Sequence, residues 1–310
     1  MATSPARYEI RVEGVLGREW TAWFDGLQVA SEGTGTVISG LVSDQSALYG
    51  LLNRIRDLGL CLVSVQRTGS RKATHNTQSE KDIMKLTIIA ATGGVGRQLV
   101  SQALAAGHDV TAVARNTAKL PPDVLAAGGA RVVAADLARP DPQVLESAVA
   151  GADAVLSALG PHNNSDAGIA APGTRTIIGA MQATGARRIV AISASPVGTT
   201  PSPGRPSPPR HDPGDGFIMR YVGTRIATTL FGKVYDDLAR MEDVLRDSGL
   251  DWTILRPPQL TGKPLTGRYR TAYGRNVRGG RSIPRADVAH YMLAVLDQTG
   301  TIGQAIGIAT

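Results

Sequence analysis

The pattern of apolar and polar positions changes character near residue 84. Before that point YEIRVEG alternates as a half-buried strand does. EWTAWFDGLQVA and TGTVISGLV are further strand candidates, separated by the turn-like SEGTG. Asp44 is placed to cap a helix over DQSALYGLLNRIRDLG, which puts Leu48, Leu51, Leu52 and Ile55 on one face and stops at Gly59. LCLVSVQ reads as a last strand, with Cys61 a buried hydrophobe in it. The order βββαβ predicts a small α+β domain over residues 1–67, with Trp20, Trp23 and Phe24 in its core or at an interface. Residues 68–84 are mostly polar and aperiodic, and read as a linker.

From residue 85 strands and helices alternate, the pattern of a parallel sheet covered on both faces. KLTIIAA, HDVTAVAR, ARVVAAD, DAVLSALG, RRIVAISAS and DWTILRPP read as strands. VGRQLVSQALAAG, DPQVLESAVAG, TRTIIGAMQATG and residues 217–248 read as helices, and TAKLPPDVLAAGG as partly helical. Six prolines fall between 201 and 213, which excludes a helix or central strand there. The segment 199–216 is expected either to cover the crevice as a lid or to be a loop insertion. A basic loop, the helix RADVAHYMLAVLDQ with Asp287 as its cap, and the strand-like QAIGIA end the chain. Residues 85–310 thus form one α/β domain with a doubly wound parallel sheet.

The first βα turn is the most informative feature. Ala90-Ala91-Thr92-Gly93-Gly94-Val95-Gly96-Arg97 follows an apolar strand and opens a helix, the context in which a glycine-rich turn binds a dinucleotide. Gly93 lets the backbone approach a pyrophosphate, Gly96 allows close helix–strand packing, and the helix N-terminus offers free N–H groups. Ala90 stands where a first glycine is usual. Thr92, Gly93, Gly94, Val95 and Gly96 are therefore cofactor-binding candidates. The second strand ends at Arg115, where an acid would select NAD; an arginine there pairs with a 2′-phosphate and points to NADP(H), with Lys119 assisting. At the third strand's end Asp136 and Leu137 fit either an adenine contact or a turn. Leu159 and Gly160 end the fourth strand, and His162-Asn163-Asn164 follow as a polar loop near the site. The fifth ends in Ser193-Ala194-Ser195-Pro196, which makes Ser193 and Ser195 candidates for contact with nicotinamide or substrate and, as the catalytic candidates, for the reacting end. Neither has an evident His/Asp partner, so a serine nucleophile is not expected.

These stretches, taken in order with SGLDWTILRPPQLTGKPLTGRY, resemble the atypical short-chain dehydrogenase/reductases, in particular the NmrA-like NAD(P)-binding proteins and the flavin reductase/biliverdin reductase B group, over residues 85–309. The resemblance implies a Rossmann-like fold, NADP(H) on loop 92–97 and Arg115, and Pro258 and Gln259 at the substrate. Departures narrow the chemistry. The Tyr-x-x-x-Lys pair of common short-chain dehydrogenases is missing: Tyr221 is followed by Arg225 and Tyr235 by Ala239. Gln259 follows Pro257-Pro258 where biliverdin reductase B proteins have histidine, and Ala194 takes the place of their serine. The expected activity is NADPH-dependent hydride transfer to a flavin, quinone or similar planar acceptor, with a non-catalytic NADP(H) sensor as the alternative. Residues 7–66 resemble small actinobacterial domains of unknown role, a candidate module for a protein partner.

Composition removes other classes. One cysteine and five scattered histidines offer no disulfide framework or metal-ligand spacing. Only 4% of residues are aromatic, too few for a base-stacking platform. No run of about 18 apolar residues spans a membrane, and no signal core opens the chain, so a cytoplasmic protein is expected. The net charge of +7 is local: eight bases and no acid lie between Asp251 and Asp287, among them Arg256, Lys263, Arg275 and Arg285. Nucleic acid is not expected to bind them, because no helix-turn-helix accompanies them. They predict a positive rim beside an anionic cofactor or substrate, or a solvated surface.

Overall fold

The computed structural model describes residues 6–14, 16–24, 26–32, 35–68, 83–125, 129–161, 166–214 and 224–310. The chain divides into two units, Met1–Ser79 and Glu80–Thr310.

In the first unit β1 (Ala6–Glu13), β2 (Gln28–Glu32), β3 (Gly35–Val42) and β4 (Leu62–Thr68) make an antiparallel sheet in the order β2-β3-β1-β4. Helix α1 (Gln45–Asp57) begins at Asp44, whose carboxylate accepts from the Ala47 N–H at 2.8 Å. Ile10, Val12, Phe24, Ile38, Leu51 and Ile55 form its core. Three expectations change. Arg18–Phe24 is a 3-10 helix, not a strand; it buries Phe24 and leaves Trp23 exposed. Cys61 precedes β4 and is exposed rather than buried. The strand β4 continues to Thr68, and the rest of the expected linker up to residue 82 lies outside the described residues.

The second unit is built on an eight-stranded sheet. Its parallel strands are β5 (Lys85–Ile89), β6 (Asp109–Ala114), β7 (Arg131–Ala134), β8 (Ala154–Ser157), β9 (Arg188–Ile192), β10 (Asp251–Arg256) and, after three short strands named below, β14 (Gln304–Ala309). The order is β12-β14-β10-β9-β8-β5-β6-β7, with β12 (Arg270–Tyr273) antiparallel at the edge. The chain reverses direction across the sheet at β5, which pairs with both β6 and β8, so a crevice opens beyond their carboxyl ends. The segment read as a basic loop holds β12 and a second parallel pair, β11 (Gln259–Thr261) with β13 (Ser282–Pro284).

Apolar runs let the central strands β5, β6, β8, β9 and β10 bury both faces, while β7 at the edge stays partly exposed. On one face α2 (Gly94–Ala105) and α7 (Arg285–Ala294) pack Leu99, Val100, Val288 and Met292 against Leu86, Ile88 and Leu156. On the other, α4 (Pro142–Val149), α5 (Ala170–Thr184) and α6 (Thr224–Arg246) cover Ile89, Val155 and Ile189; α3 (Pro122–Leu125) is a single turn. Helix α5 starts four residues before the TRTIIGAMQATG expectation, because Pro172 is tolerated within a first turn. Helix α6 bends at Phe231, where φ −128° and ψ 21° leave the helical range. Among the described residues no helix is long and apolar enough to cross a membrane.

Candidate functional site

Beyond the carboxyl edge of the sheet lies a cavity of about 1240 Å³. Its floor is the turn between β5 and α2. Ala90 takes a left-handed φ of 58°, and its carbonyl accepts from the Gly93 N–H at 2.9 Å. Gly93 caps α2 with no side chain, so the first amides of the helix face the crevice without an internal acceptor. A Cβ at Gly96 would overlap the Ala90 carbonyl, which is why this position must be glycine; Gly96 packs the turn and does not itself line the cavity. Arg97 braces the loop, its Nε donating to the Thr92 carbonyl at 2.8 Å.

Thr92, Gly93, Gly94, Val95, Arg115, Lys119, Asp136, Leu137, Leu159, Gly160, Ser193, Pro258 and Gln259 all line this one cavity, drawn together from six strand ends. Arg115 is exposed directly after β6, and Lys119 stands on the short 3-10 turn Thr117–Lys119, capped by Asn116. One Asp136 oxygen accepts from the Ala138 N–H at 3.0 Å, so the residue shapes its turn as well as the wall. Ser193 is buried at the end of β9, and its backbone donates to the Leu255 carbonyl at 2.7 Å. Ser195 does not line the cavity: it opens a 3-10 helix, and its N–H is spent on the Pro257 carbonyl at 2.9 Å. His162, Asn163, Asn164 and Tyr221 lie outside the described residues.

The far wall comes from α6, through Phe231, Val234, Tyr235 and Leu238. Burial pushes the Tyr235 hydroxyl above its ordinary value, so it is neutral at pH 7. Two residues further on, Asp237 is buried and takes three backbone N–H groups at the start of α5, from Gly168 (2.8 Å), Ala170 (2.9 Å) and Ala171 (3.0 Å). That remote cap fixes the Gly168–Ile169 edge of the cavity. No spacing in the sequence announces it.

Behind Ser193 sits a buried ion pair. Arg256 grips Glu242 through both oxygens, with Nε to Oε1 at 2.8 Å, and Arg246 adds a contact at 2.6 Å. Burial alone would raise the Glu242 carboxyl, but hydrogen bonds and charge from Arg256, with Arg246 helping, hold it below the usual carboxylate range. The Ser193 hydroxyl also favours the ionised form, although it makes no hydrogen bond of good geometry. Glu242 is thus a poor proton donor and an anchor for the strand end.

The charge expectation changes here. Of the eight clustered bases, Arg285 alone lines the cavity; Arg256 is buried behind it, and Arg270 bonds the Arg278 and Thr310 carbonyls. The clustered bases thus contribute a single side chain to the cavity, beside Arg97, Arg115 and Lys119 from other elements. The expected lid also changes. None of residues 199–214 lines the cavity. Asp243 holds Ser202 (3.0 Å) and the Gly204 N–H (2.9 Å), and Asp212 takes the Asn276 N–H at 2.8 Å, so the segment is a fixed strap across α6. Asp287 is not a cap: Pro284 precedes the helix, and the buried Asp287 carboxylate accepts from Thr266 and Gly267 (2.8 and 2.9 Å). His290 pairs with the Tyr269 hydroxyl at 2.7 Å, away from the cavity. No metal-ligand cluster occurs among the described residues.

An uncapped helix N-terminus, a glycine cradle and a cation after β6, all at the reversal point of a parallel sheet, define a nucleotide-binding Rossmann-like domain. The profile of an NAD(P)H-binding family matches residues 90–299, and the chain belongs to that family. Residues 7–66 match a domain of unknown function. An uncharacterized protein of Mycobacterium tuberculosis is 27% identical over 180 residues; these cover 58% of this chain but only 15% of that much longer protein. An uncharacterized sugar epimerase of Bacillus subtilis is 26% identical over 230 residues, covering 73% of this chain and 94% of the relative. Among solved structures, a Bacillus halodurans protein described as an NAD-dependent epimerase/dehydratase is 27% identical with a TM-score of 0.55, covering 73% of this chain and 94% of that one. A Veillonella parvula short-chain dehydrogenase/reductase in complex with NADP shares the fold at 20% identity and a TM-score of 0.59, with the same coverage. A Streptococcus pneumoniae protein described as an NADH-flavin reductase does so at 22% and 0.54, covering 73% and 99%.

Proposed function

We propose that this chain is an NADP(H)-dependent reductase of a planar acceptor such as a flavin or quinone. The observation that carries the reading is the extent of the cavity. At about 1240 Å³ it exceeds the ~300–1,000 Å³ of an ordinary small-ligand site. It runs from a cation after β6, past the glycine turn, to an apolar and aromatic end at Phe231, Tyr235 and Leu238. One end suits a dinucleotide phosphate; the other suits a flat ring beside it.

In this reading Arg115 and Lys119 hold the 2′-phosphate, which favours NADP(H) over NAD(H). The amides of α2 and the turn 92–96 take the pyrophosphate. Ser193, Pro258 and Gln259 border the reacting end, and Tyr235, protonated at neutral pH, offers a hydrogen bond there. The cofactor supplies hydride when bound; the protein aligns donor and acceptor and excludes water. Solvent delivers the proton, since no Tyr-x-x-x-Lys pair is present. Ser195, removed from the cavity, has no part in this chemistry.

The purified protein is expected to oxidise NADPH when given FMN or a quinone. Tight NADPH binding with no turnover across an acceptor panel would sink the reductase reading. It would select the sensor instead, a role favoured by Ala239 standing where a catalytic lysine would be. The separate N-terminal unit suits that role too, as the site for a protein partner.

A further inference from the structure

One cation reaches the glycine turn from a distant part of the chain. Arg285 opens α7, which packs along α2; the two helices are joined where the Gln102 amide donates to the Ala286 carbonyl at 3.0 Å. The Arg285 side chain lies over Gly94, the first residue of α2. A Cβ on Gly94 would come within 2.7 Å of both Arg285 Cδ and Nε. Glycine at this position therefore makes room for an arginine stem as well as for a ligand. Arg285 is half-buried, lines the cavity, and makes no ion pair among the described residues. Buried Asp287, two residues on, holds the Thr266–Gly267 turn and so fixes the start of α7 from the other side. A half-buried guanidinium without an acid beside it, set over open helix amides, is a place for an anion.

We propose that Arg285 clamps the pyrophosphate of the bound dinucleotide from above, opposite the amides of α2, as a cationic contact separate from Arg115 and Lys119. The assignment rests on the cofactor reading above and adds a division of labour to it. Arg115 reads the 2′-phosphate, which NADPH alone carries. Arg285 holds the bridge, which NADPH and NADH share.

Equilibrium titrations of the full chain with NADPH, NADH and 2′-AMP test this, because 2′-AMP has the 2′-phosphate and no pyrophosphate. Arg285→Gln is expected to weaken NADPH and NADH alike, by roughly 10–100-fold, the range for losing a charged hydrogen-bond partner. It should leave 2′-AMP affinity unchanged. Arg115→Gln should do the reverse, weakening NADPH and 2′-AMP and sparing NADH. Arg285→Lys keeps stem and charge and should lose less than Arg285→Gln, with an unchanged melting temperature, which separates clamping from misfolding. Unchanged or tighter dinucleotide binding by Arg285→Gln overturns the clamp while leaving the cofactor reading intact. Failure of the wild-type chain to bind any dinucleotide overturns both.

Discussion

At the scale of single residues, Ala90 is the point of tension. An L-residue at φ 58° costs about 1–2 kcal/mol relative to a right-handed conformation, and glycine avoids that cost. The strained turn brings Ala90's carbonyl onto the Gly93 N–H and shapes the glycine turn that floors the cavity; ligand sites are a usual place for such strain. Ala90→Gly is therefore expected to stabilise the protein by about 1 kcal/mol, or roughly 2–4 °C in melting temperature. A flat or lower melting temperature would show that the turn is relaxed as it stands. The residues of the glycine turn and Arg115 were legible in the sequence because each sits at a fixed offset from a strand end. Asp237 was not, since it caps an element far away along the chain, and Arg285 was legible only as one of eight clustered bases, with nothing to mark it as the one that reaches the glycine turn. Ser195 misled because a serine two positions past Ser193 has its backbone turned to Pro257.

Among elements, the parallel strands were readable as apolar runs, since burial on both faces leaves no alternation. The edge strand Arg270–Tyr273 was not, because its exposed, polar residues look like the loop around it. Trp20, Trp23 and Phe24 carry strand-like composition, yet a single buried face suffices for them and a 3-10 helix supplies it. The strap 199–214, α6 and β10 are locked by the Arg256–Glu242–Arg246 cluster and by Asp243. Removing one partner leaves a buried charge alone. Glu242→Ala is expected to cost about 3–5 kcal/mol in denaturant titration, whereas Glu242→Leu with Arg256→Met together recovers most of it. Because the folded carboxyl titrates below its ordinary 4.5, its contribution is present above that pH and is lost as pH falls further. Stability measured against pH should show this acid loss in the wild type, and Glu242→Gln should lack that component. Equal costs for the single and double variants would contradict the locking role.

On the scale of the whole molecule, two units with separate cores share one chain. All the cofactor-binding chemistry argued above lies in Glu80–Thr310, and the charge surplus lies there too. That surplus does not make a general anionic surface. Among its clustered bases Arg256 is a buried anchor, Arg270 stands on the edge strand β12, and Arg285 lies over the glycine turn. The reductase reading then depends on a single arrangement of cofactor in the cavity, which a crystal structure of the full chain with NADPH tests most directly. The account predicts the pyrophosphate between the amides of α2 and Arg285, the 2′-phosphate at Arg115 and Lys119, and the nicotinamide facing Ser193, Pro258 and Tyr235. A cofactor bound with its nicotinamide turned away from Ser193, or with Arg115 free of the 2′-phosphate, would contradict it.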